Sequence, residues 1–134
     1  MTDRGKLQAM TFAALRIVAG AMFALHGTQK LFGFPIAAPM KIEIASQFGI
    51  GAIIELVCGV LIALGLVTRP AAFLAAGTMA VAYFQFHWKL AFAHWAFLPM
   101  VNQGEPAVMY CFVFLMFAAA GAGMYSLDAR RGAS

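Results

Sequence analysis

Gly49-Ile50-Gly51-Ala52-Ile53-Ile54-Glu55-Leu56-Val57-Cys58-Gly59-Val60-Leu61-Ile62-Ala63-Leu64-Gly65-Leu66-Val67-Thr68-Arg69-Pro70 is the stretch that decides the fold. From Gly49 to Val67 it is apolar except for Glu55. Its length falls within the roughly 17–25 residues that a helix needs to cross a bilayer. Thr68-Arg69-Pro70 follows, and a second apolar run starts at Ala71 and continues to about Phe86. Three residues allow only an antiparallel hairpin, and Pro70 suits the first turn of the second helix. Outward from this hairpin lie two more apolar runs. Leu7 to Gly27 is interrupted by Arg16, and Ala107 to Tyr125, after Pro106, carries no charge. The expectation is one all-α domain over 1–134, an antiparallel four-helix transmembrane bundle with spans at about 7–27, 49–67, 71–90 and 107–125.

Composition agrees. Of 134 residues, 63% are hydrophobic and 10% are charged, where a soluble domain has about 25% charged. A small soluble protein has a large surface to cover with polar groups, and this chain lacks them. An ordinary soluble monomer, a disordered chain and a secreted disulfide scaffold are thereby excluded. The net charge of +4 does not indicate nucleic acid, because the basic residues form no stripe. Cys58 and Cys111 lie in apolar runs without CxxC or zinc-type spacing, and read as core residues. The first run has a basic start, but no small-x-small site follows it at Ala24-Leu25-His26-Gly27, so a retained span is expected.

With four spans, the termini and the 68–70 turn share one side of the membrane. That side carries Arg4, Lys6, Arg69, Arg130 and Arg131, and the other carries Lys30, Lys41 and Lys89. The bias places both termini in the cytoplasm. The 28–48 loop, with Pro35, Pro39 and several apolar residues, is expected to dip into the interface.

Arg16 and Glu55 each lie inside an apolar run, where a charge normally faces the bundle interior and finds a partner. Adjacent antiparallel spans would leave their depths about 7 Å apart at the helical rise, within reach of an arginine. The expectation is an intramembrane ion pair, which either fixes helix register or serves proton movement or a polar ligand. Gly51, Gly59 and Ala63 form a small-residue ladder around Glu55, and Arg16, Gly20, Phe23 and Gly27 form a similar face on the first span.

Tyr83 to Phe97 reads Tyr-Phe-Gln-Phe-His-Trp-Lys-Leu-Ala-Phe-Ala-His-Trp-Ala-Phe. It is either an aromatic belt at headgroup level or a flat pocket, with Tyr83, Phe84, Trp88 and Trp95, for a ring-shaped lipid-soluble ligand such as a quinone. His26, Lys30, His87, His94 and Glu105 fall on the same side. His87 and His94, seven apart, share a face if the helix continues. His26 and Lys30, one turn apart, would orient a carbonyl or quinol oxygen, or else reach up to headgroups. Glu105 would join this polar pocket, or simply occupy a helix start, where a carboxylate is favoured. No local motif fixes a metal geometry, so no metal is expected.

Leu15-Arg16-Ile17-Val18-Ala19-Gly20, Phe23-Ala24-Leu25-His26-Gly27-Thr28-Gln29-Lys30-Leu31-Phe32-Gly33, Glu55-Leu56-Val57-Cys58-Gly59, Leu64-Gly65-Leu66-Val67-Thr68-Arg69-Pro70-Ala71, Asn102-Gln103-Gly104-Glu105 and Tyr125-Ser126-Leu127-Asp128, in this order, resemble the DoxX family of small bacterial membrane proteins. The resemblance runs from about residue 10 to 131. Cys58 stands where the family usually has a second glycine, and Gly121-Ala122-Gly123 where it often has Gly-Pro-Gly. The resemblance implies a four-helix protein of the cell inner membrane. It also implies kinship with accessory subunits of quinone-linked oxidation and of membrane redox-stress complexes.

Three functions fit these readings. The first is an accessory subunit of a quinone-linked redox system. With no CxxC, haem-attachment or dinucleotide motif, any redox cofactor would be diffusible or held by a partner subunit, and no catalytic residue is assigned. The second is a permeability protein for a small solute or protons, acting as a homo-oligomer. The third is a scaffold that docks a soluble partner through the Asp128–Arg131 tail and the 68–70 turn.

Overall fold

The computed structural model describes residues 1–133. All its regular elements are helical. α1 (Asp3–Phe32) starts where the Thr2 hydroxyl accepts from Gly5 N, and ends where Gly33 turns left-handed. α2 (Gln47–Leu64) is capped by the Ser46 hydroxyl and ends at left-handed Gly65. α3 (Thr68–Ala82) follows almost at once and continues as a π turn over Tyr83–Trp88. After an irregular segment come the short α4 (Pro99–Asn102), then α5 (Glu105–Ala120) and the short α6 (Leu127–Arg130). α1 and α2 are long and apolar enough to cross a membrane, and α5 is a shorter apolar helix.

Two helix pairs build the bundle. α1 packs on α2 and α3 on α5, and α2 joins the halves through α3. The α1–α2 contact is backbone against backbone. A Cβ on Gly20 would stand 2.5 Å from Ala63 N and 2.7 Å from Gly59 O, and one on Gly27 2.5 Å from Leu56 N and 2.7 Å from Ala52 O. Between helices in hydrocarbon there would be no hydrophobic drive, and close approach at small residues is the contact that can hold such a pair. Gly51, expected in this ladder, is not in it, since nothing lies within 4 Å of its Cβ position. Between the pairs lie Phe23, Phe114, Phe117 and Ile62 against α3 alanines. Phe23 meets Phe114 edge-on at 4.7 Å between centroids.

Two expected spans end early. Regular α-helix in the third stops at Ala82, giving way to the π turn and then to left-handed Lys89 and Leu90. His87 and His94 therefore share no helix face. The fourth stops at Ala120 instead of Tyr125, because Gly121 takes φ 83 and ψ −168, a conformation essentially confined to glycine. The released backbone is used by the arginines. Arg69 donates to the carbonyls of Ala118 and Ala119, at the helix end that favours a cation.

The tail folds back on the α2–α3 turn. The Asp128 carboxylate accepts from Val67 N at 2.8 Å and Thr68 N at 2.9 Å, and Asp128 N donates to Gly65 O at 2.8 Å. α3 lacks a cap of its own, since left-handed Val67 supplies no side-chain acceptor. Asp128 supplies that cap from the far end of the chain. Burial by itself pushes the Asp128 carboxyl up. The Thr68 and Val67 amides and the Arg131 charge outweigh it and hold the group below its ordinary value of 3.8. A depressed carboxylate adds stability that is present above the unfolded-state value and is lost as pH falls through the folded one. Asp128→Asn is therefore expected to cost about 1 kcal/mol at neutral pH, in line with loss of a helix cap. It should also flatten the fall in melting temperature of detergent-solubilised protein below about pH 4. An unchanged acid profile in that variant would show that the cap carries no such linkage.

Candidate functional site

Antiparallel register places the two buried charges at different depths in the bundle. With Gly20 on Gly59 and Ala63, Arg16 comes level with the end of α2, where a Cβ on Gly65 would be 3.1 Å from its Cζ. Glu55 lies ten residues back along α2, about 15 Å at the helical rise. The expected Arg16–Glu55 ion pair is therefore not formed. Arg16, 1% exposed, donates instead to the carbonyls of Ala122, Met124 and Tyr125, with Nη2 2.8 Å from Tyr125 O. It fastens the irregular segment after α5 to α1.

Glu55 pairs with Lys30, Nζ to Oε1 at 2.7 Å. Lys30 sits in the last turn of α1, and its stem reaches across the bundle edge to the carboxylate, charge inward. Glu55 is 4% exposed, and its other oxygen, Oε2, has no partner. The Tyr110 hydroxyl on α5 is also buried without one. Both residues line one cavity of about 230 Å³, together with His26, Lys30, His87, Phe23 and Phe86. Two buried side-chain oxygens without a partner in one small space are uncommon in a folded protein, where buried polar groups are nearly always bonded.

The histidines complete the wall. His26 stands edge-on to Tyr110, 6.1 Å between centroids. His87 Nδ1 is 3.3 Å from Asn102 O, which requires the proton on Nδ1 and in the neutral ring leaves Nε2 as an acceptor. Asn102 in turn is held by the Tyr83 hydroxyl and the Ala96 carbonyl, and its side-chain oxygen accepts from Gly104 N. The π turn supplies the site: it carries both Phe86 and His87, at the end of α3 where the regular ladder gives way.

A second cavity of about 430 Å³ lies between α2 and α3, with a mostly apolar lining that includes Ile54, Phe73, Leu74 and Val81. Lys30, Phe48, Glu55, Met79, Ala82 and Phe86 line both cavities. Phe48 and Phe86 stand against each other at 4.5 Å. The ion pair thus belongs to a polar space on one side and an apolar space on the other.

Of the residues expected to form a polar pocket, His26, Lys30 and His87 come together here. Glu105 does not: it is exposed in the first turn of α5, where its charge favours the helix start. The expected aromatic pocket is also relocated. Tyr83, Phe84, Trp88 and Trp95 line neither cavity. Tyr83 donates to Phe97 O and fixes the loop. Phe84, Trp88 and Phe92 run in a chain of edge and tilted contacts over the surface, and Trp95 is exposed. The phenyl and phenol rings at the cavities are Phe23, Phe48, Phe73, Phe86 and Tyr110, which no residue spacing singled out as a group. A hydroxyl inside an otherwise apolar span was the available signal for Tyr110. Among the described residues no three His, Cys, Asp or Glu side chains come close enough to hold a metal ion.

Residues 11–88 match the protein family described as DoxX. That stretch contains every named cavity residue except Tyr110. A protein of Haemophilus influenzae, described as uncharacterized, is 39% identical over 137 residues, covering 96% of each chain. No solved structure matches.

Proposed function

The chain belongs to the DoxX family of membrane proteins, and from that premise we propose that it holds the ring of a lipid-soluble quinone as an accessory subunit of a quinone-linked redox system. The observation that carries the reading is the pair of unpartnered groups, Glu55 Oε2 and Tyr110 Oη, in one cavity. A cavity of about 150 Å³ accepts a benzene ring, so 230 Å³ suits one substituted ring. Tyr110 Oη and Lys30 Nζ supply donors for a ring carbonyl. Glu55 Oε2 and His87 Nε2 supply acceptors for the hydroxyls of the reduced form, and Phe23 and Phe86 supply apolar walls. The chain has no fixed-cofactor motif, so electrons would come from a partner subunit. Purified protein titrated with ubiquinone or menaquinone analogues is expected to bind them, and Glu55→Gln and Tyr110→Phe each to weaken binding about ten-fold, the worth of one buried hydrogen bond. No binding by the wild-type protein at membrane-like concentrations would overturn the reading.

The same proposal places four spans in the cell inner membrane. α3 with its π turn runs from Thr68 to Trp88, about 30 Å at the helical rise, and α5 is shorter. The tail and the 65–68 turn lie at one end of the bundle, and Arg16 joins Arg4, Lys6, Arg69, Arg130 and Arg131 there. The basic bias then puts this end in the cytoplasm. A C-terminal alkaline phosphatase fusion active outside the cytoplasm would reverse the assignment.

A further inference from the structure

α2 and α3 do not close on each other along their whole length. α1 and α2 touch at Gly20 and Gly59, but Gly51 on α2 and Gly77 on α3 open into the 430 Å³ cleft, with nothing within 4 Å of either Cβ position. The volume is in the usual range for ligand sites, about 300–1,000 Å³. We propose that this cleft is the slot for the hydrocarbon tail of the same ligand, which enters from the bilayer and passes its ring over Phe48 and Phe86 to Glu55. The inference rests on the ring-binding reading above.

Three observations choose this occupant over an ordinary lipid chain. First, the buried Glu55, with Oε2 unpartnered, stands in the wall that the cleft shares with the polar cavity. A bulk acyl chain has no polar group to offer at that depth, whereas an amphiphile meets it where its ring joins its tail. Second, Gln47 Nε2 donates to Gln85 Oε1. This ties the start of α2 to the π turn and makes the headgroup end of the cleft polar. Third, the lining descends α3 from Val81 to Phe73, about 12 Å at the helical rise, past the helix midpoint toward the α2–α3 turn. A tail lying there leaves its ring beside the ion pair.

Gly77→Leu and Gly51→Leu fill the cleft without touching the polar cavity, and both positions have room for a side chain. The probes are the ubiquinone head group with and without a decyl tail, titrated against each variant in detergent. Each substitution is expected to weaken the tailed probe about ten-fold by overpacking its slot, and to leave the tailless probe within about two-fold. Equal affinities of wild type and both variants for the tailed probe would overturn the slot and leave the ring site standing. A wild-type protein that binds neither probe would overturn the ring site, and the slot with it. Variants that lose co-purifying phospholipid but bind both probes normally would assign the cleft to a bulk lipid chain. Should one variant fail to give folded protein by its melting curve, the other carries the same comparison.

Discussion

Arg16→Met is expected to lower stability by roughly 3–5 kcal/mol, the range for stripping a partner from a buried polar cluster. The guanidinium is the only group bonded to the Ala122 and Tyr125 carbonyls among the contacts described, and it also reaches Met124 O. Those carbonyls belong to the break after α5, where no helical partner exists, and the guanidinium that serves them is buried. Methionine fills the space but donates nothing. The melting temperature in mild detergent should fall by about 10 °C or more. Arg16→Lys keeps the charge but offers one point instead of a planar fork, so it should recover part of the loss and no more. Wild-type stability in Arg16→Met would mean that the break after α5 is held by something other than this clasp. The same variants test the discarded ion pair. Pairing with Glu55 would make Arg16→Met milder in a Glu55→Gln background, whereas the register seen here predicts additive effects.

Gly59→Val should be comparably damaging for a different reason. The added Cβ would stand 2.7 Å from the Gly20 carbonyl oxygen and closer still to the Ala24 backbone. Neither is the end of a flexible side chain, so α1 and α2 must part. Overpacking typically costs about 1–3 kcal/mol, and a clash with two backbone segments belongs at the top of that range or beyond. Separation would also shift Lys30 from Glu55, so loss of stability and loss of ring binding should appear together. Gly51→Val is the matched control: it lies on the same helix, two turns away, facing open space. Melting curves of the two variants that coincide would show that the close helix approach does not hold the bundle.

Much of this architecture was legible from residue types. An apolar run of bilayer length with three residues before the next gives an antiparallel helix pair. Helix starts at Ser46 and ends at Gly33 and Gly65 follow ordinary cap chemistry. His26 and Lys30 fall on one side of α1 because they are one turn apart, and so they meet at one cavity. Other readings failed where they depended on facts that spacing does not hold. Arg16 and Glu55 looked like partners because each was a lone charge in an apolar run, and depth counted from run ends set them close. Run ends are a poor ruler: α1 extends well beyond the Leu7 and Gly27 bounds. Likewise the aromatic density from Tyr83 to Phe97 marked a region but not which rings turn inward, because a π turn rotates the side chains of Phe86 and His87 away from the helical projection.

Residue types alone make this chain a helical, hairpin-paired membrane protein, because hydrophobic length and turn chemistry act locally and each residue carries its share. That very few charges interrupt the apolar runs is likewise composition. What those charges meet is a matter of packing. Helix register is set by backbone contact at Gly20, Gly27 and Gly59, a long-range fit that the loop from Gly33 to Ser46 is too long to impose. One turn of sliding would move Arg16 and Glu55 by about 5.4 Å, enough to change every partner. Backbone carbonyls freed by a break, like those that Arg16 holds, carry no residue signature at all.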